Sequence, residues 1–139
     1  MIEVLALIIF IFFLIGGTEA FFGVRTLKFL KEISSLEGEK FPLISIVIAA
    51  RNEFKKIEPA LLSVLKQDYP NFEVIVIDDR STDGTSALLD RIVKEYGHLQ
   101  VLHVSQLPEG WLGKNYSLYF GAQMASGEFL LFMDADVIA

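Results

Sequence analysis

The sequence predicts an α/β domain, a mostly parallel sheet with flanking helices, preceded by one transmembrane helix. Two observations predict it. From residue 42 onward, apolar segments of strand length alternate with segments that carry a helical apolar stripe, which requires right-handed crossover connections between parallel strands. Before them lies a long uncharged segment. The predicted parts are therefore 1-24, a transmembrane helix; 25-41, a juxtamembrane connector; and 42-139, the α/β domain.

Composition excludes several classes of function. The net charge of −6 disfavours nucleic acid as a partner. Without cysteine the chain can form no disulfide, no thiolate nucleophile and no Cys-ligated zinc site. At 139 residues it is short for an α/β enzyme. We therefore expect an N-terminal fragment of a longer protein.

The N-terminal segment has the length of a membrane span only when it is extended to Val24. The uncharged run from Val4 to Gly17 would rise about 21 Å as a helix, short of a bilayer core of about 30 Å. Extension to Val24 gives about 31 Å and includes Glu19. A signal peptide or a buried core helix is the alternative, although the acidic start at Glu3 disfavours the signal peptide.

Basic residues follow this segment directly. Arg25, Lys28 and Lys31 have no acid among them. By the positive-inside rule they place the C-terminal part in the cytosol. The predicted location is thus the cell membrane, with a single N-terminal span and a cytosolic α/β domain.

The first half of the domain reads as strand, helix, strand. Residues 43–50 are β-branched and apolar and stop at a polar cluster, which predicts the first strand. A helix follows whose buried face shows the spacing i, i+4, i+7 and i+8, and it closes before Pro70. Residues 72–77 are predicted to form the second strand, and two acids, Asp78 and Asp79, follow it.

The second half repeats the pattern. An apolar stripe from Leu88 to Tyr96 predicts a helix that Gly97 ends, and residues 100–104 form the third strand. A helix is predicted from about Asn115 to Ser126. The apolar run that begins at Phe129 is typical of a central strand buried on both faces.

Polar residues follow three of the four predicted strands. Because the carboxyl ends of parallel strands meet at one edge of a sheet, these side chains should converge there. In an extended segment Asp134 and Asp136 would point to the same side. Oxygen ligands without Cys or a nearby His suit Mg²⁺ or Mn²⁺. The converging residues are Arg51, Asn52, Glu53, Asp78, Asp79, Asp134 and Asp136.

This cluster favours a nucleotide-sugar ligand. Neither a P-loop nor the dinucleotide fingerprint occurs in the sequence. Carboxylates can accept hydrogen bonds from a base N–H and from ribose hydroxyls, while a cation and Lys114 would neutralise a diphosphate.

Three ordered motifs resemble those of family 2 glycosyltransferases: Ile46–Glu53, Val76–Thr85 and Asp134–Asp136. The resemblance covers about residues 42 to 139 and implies the GT-A nucleotide-diphospho-sugar transferase fold. The stretch Gly110–Asn115 is similar to membrane-bound members that glycosylate lipids, including those associated with hopanoids and carotenoids. Ala49 stands where the family often has Pro.

The resemblance implies a role for each matched position. Ala50, Arg51 and Glu53 would line the nucleotide pocket, and Asp79, supported by Asp78, would contact the base. Lys114 would lie near the diphosphate, Asp134 near the ribose and the metal, and Asp136 would ligate the metal. These eight residues are the predicted site.

The resemblance also implies an activity. It is inverting, metal-assisted transfer of a sugar from a nucleotide-diphosphate sugar, expected to be a UDP-sugar, to a membrane-associated lipid or polysaccharide acceptor. The general base is expected beyond Ala139. Residues 42–139 would then be the donor-binding half, inactive alone.

Two rival functions stay open. A nucleotidyltransferase uses a similar domain with paired acids but would carry a Gly-rich basic loop after the first strand. A non-catalytic, membrane-anchored binding module would keep the fold. Among individual residues, Asp83 is more typical of a helix cap than of a ligand. Packing roles are expected for Trp111, Tyr116 and Tyr119, and non-catalytic roles for His98 and His103.

Overall fold

The computed structural model describes residues 2–26 and 40–139. These belong to two separate units, Met1–Gly38 and Glu39–Ala139. Most of the predicted connector, including Lys28 and Lys31, lies outside the described residues.

The described part of the first unit, residues 2–26, forms a helix, α1, at Ile2–Thr26. Within it Glu3–Gly23 has a mean hydropathy of 2.4 over 21 residues, and none of that segment is buried inside the protein. The helix thus has the length and composition that a membrane span needs.

The second unit is a four-stranded parallel sheet in the order β3-β2-β1-β4. The predicted α/β class is confirmed. The strands are β1 Ile44–Ala50, β2 Phe72–Asp79, β3 Leu99–Val104 and β4 Phe129–Asp134. The helices between them are α2 Ile57–Leu65, α3 Thr85–Ile92 and α4 Gly113–Met124.

The sheet is covered on both faces. Alternate residues of β1 and β2, such as Ile48 and Val76, pack with α2 and α3 in the larger core. Ile75 and Ile77 face the other way and pack with Tyr116 and other residues of the α4 side. This alternation follows from the two-residue period of a strand.

Helix α4 approaches the sheet closely through Gly121. A Cβ atom at this position would collide with the Val47 side chain and lie 3.2 Å from Ile77 Cγ1. Glycine is therefore required here by space, and it brings α4 onto β1 and β2.

A hydrogen-bond network ties the turn before β4 to the start of the sheet. The buried Ser45 hydroxyl donates to Glu73 Oε1 at 2.5 Å and accepts from the Gly127 N–H at 2.8 Å. Ser126 N–H and hydroxyl also donate to Glu73. Burial would raise the pKa of Glu73, but these hydrogen bonds outweigh it and hold the pKa below its usual value.

The prediction that the last strand is central was wrong for the described chain. There β4 pairs only with β1 and forms an edge. Its Phe129 and Phe132 side chains are 59% and 50% exposed. An apolar run predicts a strand, but its burial depends on neighbours that the run does not specify.

Helix α3 ends four residues earlier than the apolar stripe predicted. The chain must turn before it enters β3 at Leu99, so regular helix stops at Ile92. Val93 and Tyr96 nevertheless pack against the larger core from that turn. The stripe correctly identified which side chains face the core.

Candidate functional site

A pocket of about 410 Å³ lies where the carboxyl ends of β1, β2 and β4 meet the start of α4. The strand register places these ends level, because Ala50 pairs with Asp78 and Ala49 with Asp134. The predicted convergence is therefore observed for five of the seven residues, all except Asn52 and Asp78. Of the eight predicted residues, those that line the pocket are Ala50, Arg51, Glu53, Asp79, Lys114, Asp134 and Asp136.

Asp78 does not line this pocket. Successive residues of a strand point to opposite faces, so Asp78 and Asp79 cannot both face it. The Asp78 carboxylate instead accepts hydrogen bonds from the Ser86 hydroxyl and lies 2.9 Å from His103 Nδ1. The Asp78 side chain therefore makes its contacts away from the pocket.

The Asp78–His103 contact perturbs the pKa of both groups. Burial would raise the pKa of Asp78, but hydrogen bonds from Ser81, Ser86 and His103 outweigh it and lower the pKa. The hydrogen bond with Asp78 raises the pKa of His103. His103 Nε2 also lies 3.0 Å from Asp90 Oδ1. The imidazole is thus stabilised in its charged form.

Asp79 is the buried carboxylate of the pocket, only 3% exposed. Arg80 holds it at two points, with Nε 2.7 Å from Oδ1 and Nη2 3.1 Å from Oδ2. Arg51 Nη1 lies 3.8 Å from Oδ2. A buried carboxylate needs such compensation.

Asp134 and Asp136 reach the pocket by a turn rather than by extended chain. Strand β4 ends at Asp134, and the Val137 N–H donates to the Asp134 carbonyl across the turn at 3.3 Å. The predicted extended geometry was therefore wrong, although both carboxylates line the pocket. Ala135 between them is buried and anchors the turn in the larger core.

Each of these two carboxylates is paired with a lysine. Lys114 Nζ lies 2.5 Å from Asp134 Oδ1, and Lys56 Nζ lies 3.1 Å from Asp136 Oδ2. The hydrogen bond with Asp136 raises the pKa of Lys56. In the described part of the chain, no group of three or more His, Cys, Asp or Glu residues is arranged to hold a metal. Asp134 and Asp136 could supply two ligands of a cation, with the remainder from elsewhere.

The loops after β1 and β2 are joined by hydrogen bonds. Asn52 N–H donates to Ser81 Oγ at 2.9 Å, and Asn52 Oδ1 accepts from the Thr82 N–H at 2.8 Å. Asp83 accepts from the Phe54 N–H at 3.1 Å. The two loops thereby support each other beside the pocket.

Asp83, predicted to cap α3, lies one residue before the N-cap Gly84 and contacts the first residue of the helix. The Asp83 Oδ1 atom accepts a hydrogen bond of 3.0 Å from the Thr85 N–H. Asp83 does not line the main pocket.

The aromatic residues predicted to pack do contact one another. The Trp111 ring lies 5.6 Å from that of Tyr116 and 5.0 Å from that of Tyr119. The His98 ring contacts that of Phe72 at 4.9 Å, at the other end of the sheet from the pocket.

Sequence reasoning missed three residues at the site: Lys56, Arg80 and Gly113. Lys56 and Asp136 are 80 positions apart, and no local pattern links them. The signal for Arg80 was its place directly after Asp79, and the signal for Gly113 was a glycine in the loop just before the helix predicted from about Asn115.

Comparison with known proteins identifies relatives of the second unit. Residues 45–139 match the family model described as Glycosyl transferase family 2. A 4,4'-diaponeurosporenoate glycosyltransferase of Staphylococcus haemolyticus is 43% identical over 103 residues, covering 73% of this chain and 26% of that protein. The chain thus spans about a quarter of the length of this curated relative.

Two solved structures resemble the chain. The mannosyltransferase PcManGT of Pyrobaculum calidifontis, in complex with GDP-Man and Mn²⁺, has a TM-score of 0.63 and 29% identity, over 70% of this chain and 28% of its own. Staphylococcus aureus TarS 1-349 in complex with UDP-GlcNAc has a TM-score of 0.57 and 33% identity, over 67% of this chain and 26% of its own.

Proposed function

Because this chain belongs to glycosyl transferase family 2, we propose that residues 42–139 form the donor-binding half of an enzyme that transfers a sugar from a nucleotide-diphosphate sugar. The GT-A type of α/β fold that this membership implies is the fold observed. The observation that carries the proposal is the convergence of Asp79, Lys114, Asp134 and Asp136 on one pocket.

The proposed roles follow from burial and charge. The Asp79 carboxylate is buried and is held by a hydrogen bond from Arg80. It is therefore suited to accept a hydrogen bond from an N–H group of a base that enters the pocket. Ala50, Arg51 and Glu53 form the wall beside it. Lys114 is exposed at the start of α4, where its ammonium and the helix dipole both favour a diphosphate.

Asp134 and Asp136 are the residues proposed to hold a divalent cation, Mg²⁺ or Mn²⁺. Both carboxylates are accessible and already attract cationic side chains. Mg²⁺ is usually bound through one or two carboxylates together with substrate phosphates, which fits a site that supplies two. PcManGT, in complex with GDP-Man and Mn²⁺, gives support by analogy. When bound, the cation would stabilise the charge that develops on the departing diphosphate.

The proposed reaction inverts the anomeric centre. The acceptor hydroxyl forms a bond to the anomeric carbon as the bond to the diphosphate breaks, and a general base takes the hydroxyl proton. We assign that base outside residues 1–139. Sugar transfer by this polypeptide alone would contradict the assignment.

The proposed acceptor is a membrane-associated lipid or polysaccharide. The apolar helix α1 supports a membrane location. The basic residues Arg25, Lys28 and Lys31 that follow its apolar segment in the sequence favour the cytosolic side for the α/β unit. The relative named for 4,4'-diaponeurosporenoate supports a lipid acceptor. Binding of α1 to membranes and transfer to a lipid acceptor are both open to direct test.

Calorimetric titration of the whole chain in detergent micelles tests the donor proposal. UDP-GlcNAc, GDP-mannose and UTP would each be added with and without Mn²⁺, to the wild type and to Asp136→Ala. We expect the wild type to bind a nucleotide-sugar more tightly with Mn²⁺, and Asp136→Ala to lose that gain.

Asp68→Ala is the matched control, because Asp68 is an exposed acid that does not line the pocket. It should behave as the wild type does. Metal-independent binding that Asp136→Ala leaves unchanged would overturn the assignment. Preference for UTP over both sugars would instead favour a nucleotidyltransferase.

A further inference from the structure

The Asp79 carboxylate is enclosed by its own neighbour in sequence. Both of its oxygens accept hydrogen bonds from the Arg80 guanidinium, and the Arg80 side chain is itself 29% exposed. Each carboxylate oxygen has two lone pairs, so a two-point contact on one edge leaves acceptor capacity on the other. The contact therefore orients the carboxylate without saturating it.

Arg80 can fold back onto Asp79 because of its backbone conformation. Its φ of +54° lies in the left-handed region, which is uncommon for residues other than glycine. The Arg80 N–H donates to the Asp78 carbonyl at 3.2 Å, and Ser81 is held by the Asn52 N–H. The loop after β1 thus supports the conformation that directs Arg80 to Asp79.

Gly113 lies close to the contact between the Asp79 carboxylate and the Arg80 guanidinium. A Cβ atom on this first residue of α4 would collide with Asp79 Oδ2 and lie 3.0 Å from Arg80 Nη2. Any larger residue would displace the carboxylate, the guanidinium or the helix. Arg80 and Gly113 together therefore restrict the orientation of the Asp79 carboxylate.

We propose that Arg80 is a positioning residue for donor recognition, which fixes the orientation of the Asp79 carboxylate in the pocket, and that Gly113 provides the space for it. This inference rests on the proposed function, since Asp79 is assigned there to the base of the donor. Arginine is suited to the role because lysine cannot reproduce a planar two-point contact.

The test measures donor affinity and base preference in the same titrations. Of UDP-GlcNAc and GDP-mannose, the donor that the wild type binds more tightly is the preferred one. Arg80→Gln should weaken binding of this donor about tenfold, as expected when a charged hydrogen-bond pair is lost. The ratio of the two affinities should also shrink, because a reoriented carboxylate no longer distinguishes the bases. Arg80→Lys should recover part of the affinity, since it restores the charge.

Arg91→Gln is the matched control. Arg91 pairs with Glu58 at 2.7 Å on the surface, and neither residue lines the pocket. A purely structural role of Arg80 would lower both affinities equally together with the melting temperature, and that result would overturn the proposal. Unchanged affinities in Arg80→Gln would overturn it as well.

A second variant keeps the proposal testable if Arg80→Gln does not fold. Gly113→Ala should also weaken binding of the preferred donor. Gly97→Ala is its control, because a Cβ at Gly97 would meet nothing within 4 Å. A folded Gly113→Ala with wild-type affinity would overturn the inference. If the wild type binds neither donor, the proposed function fails and this inference fails with it.

Discussion

Lys56 and Asp136 form an ion pair of 3.1 Å between the start of α2 and the turn after β4. The lysine ammonium thus lies on a carboxylate that we assign to a divalent cation. Two cations cannot share one carboxylate edge without repulsion, so lysine and metal should compete.

We therefore expect Lys56→Gln to bind Mn²⁺ more tightly than the wild type in the absence of donor. Both partners are largely exposed, so the gain should be about two- to fivefold, as for other exposed pairs. Titration followed by the electron paramagnetic resonance signal of free Mn²⁺ measures it. Lys66→Gln, which removes the same charge at the other end of α2, is the control. Equal or weaker Mn²⁺ binding in Lys56→Gln would show that the lysine does not compete.

The Asp78–His103 pair should make stability depend on pH. The pKa of His103 is raised in the folded protein, so its contribution is complete below the usual value of 6.5 and is lost as pH rises through the folded value. The pKa of Asp78 is lowered, so its contribution is present above 3.8 and is lost as pH falls through the folded value. Stability should therefore be greatest between these limits.

Urea unfolding of the wild type and of His103→Asn, at pH values from below the lower limit to above the upper one, measures the effect. The variant should be less stable than the wild type near pH 6 and should lose less stability as pH rises. His98→Asn, just before β3, leaves the Asp78 contact intact and should retain the wild-type profile. Parallel profiles for wild type and His103→Asn would contradict the assignment.

Gly121→Ala should destabilise the protein through the contact of α4 with the sheet. The added methyl group would have to displace Val47 or Ile77, both buried in the close-packed core. Overpacking of this kind costs roughly 1–3 kcal/mol in the free energy of unfolding. Thermal and urea denaturation would measure the loss, and Gly97→Ala should show none of it. A variant as stable as the wild type would show that the core side chains can move to accommodate the methyl group without loss of unfolding free energy.

Ser45→Ala should also destabilise the protein, but by leaving polar groups without partners. The Gly127 N–H would lose its acceptor and Glu73 a donor, both in partly buried surroundings. The expected loss is roughly 1–3 kcal/mol. Ser105→Ala removes an exposed hydroxyl and is the control. Equal unfolding free energies for the two variants would show that water replaces the lost bonds.

Much of the fold and of the pocket follows from local patterns. Alternating strand and helix periods determine the parallel sheet, and a parallel sheet brings its polar carboxyl ends together. The exposure of Phe129 was not predictable, because it depends on which neighbours β4 has. Asp78 and Asp79 were predicted to follow the second strand, whereas they are its last two residues, and which of them faces the pocket depends on packing.

The contacts of Lys56 and Arg80 escaped sequence reasoning for other reasons. The first joins residues distant in the chain, and the second needs a left-handed backbone that no residue type at that position signals. Pairing of Asp78 with His103 required the register of β2 on β3, which only the structure provides.

The hydrogen bonds between the loops after β1 and β2 have a kinetic consequence. Asn52 and Asp83 tie these loops to each other through hydrogen bonds within the protein, so we expect little conformational entropy to be lost there on association. A nucleotide should therefore enter this side of the pocket in a single step, at a rate set by encounter. Variants that release the loops, such as Asn52→Ala, should add a slower ordering phase to the binding time course.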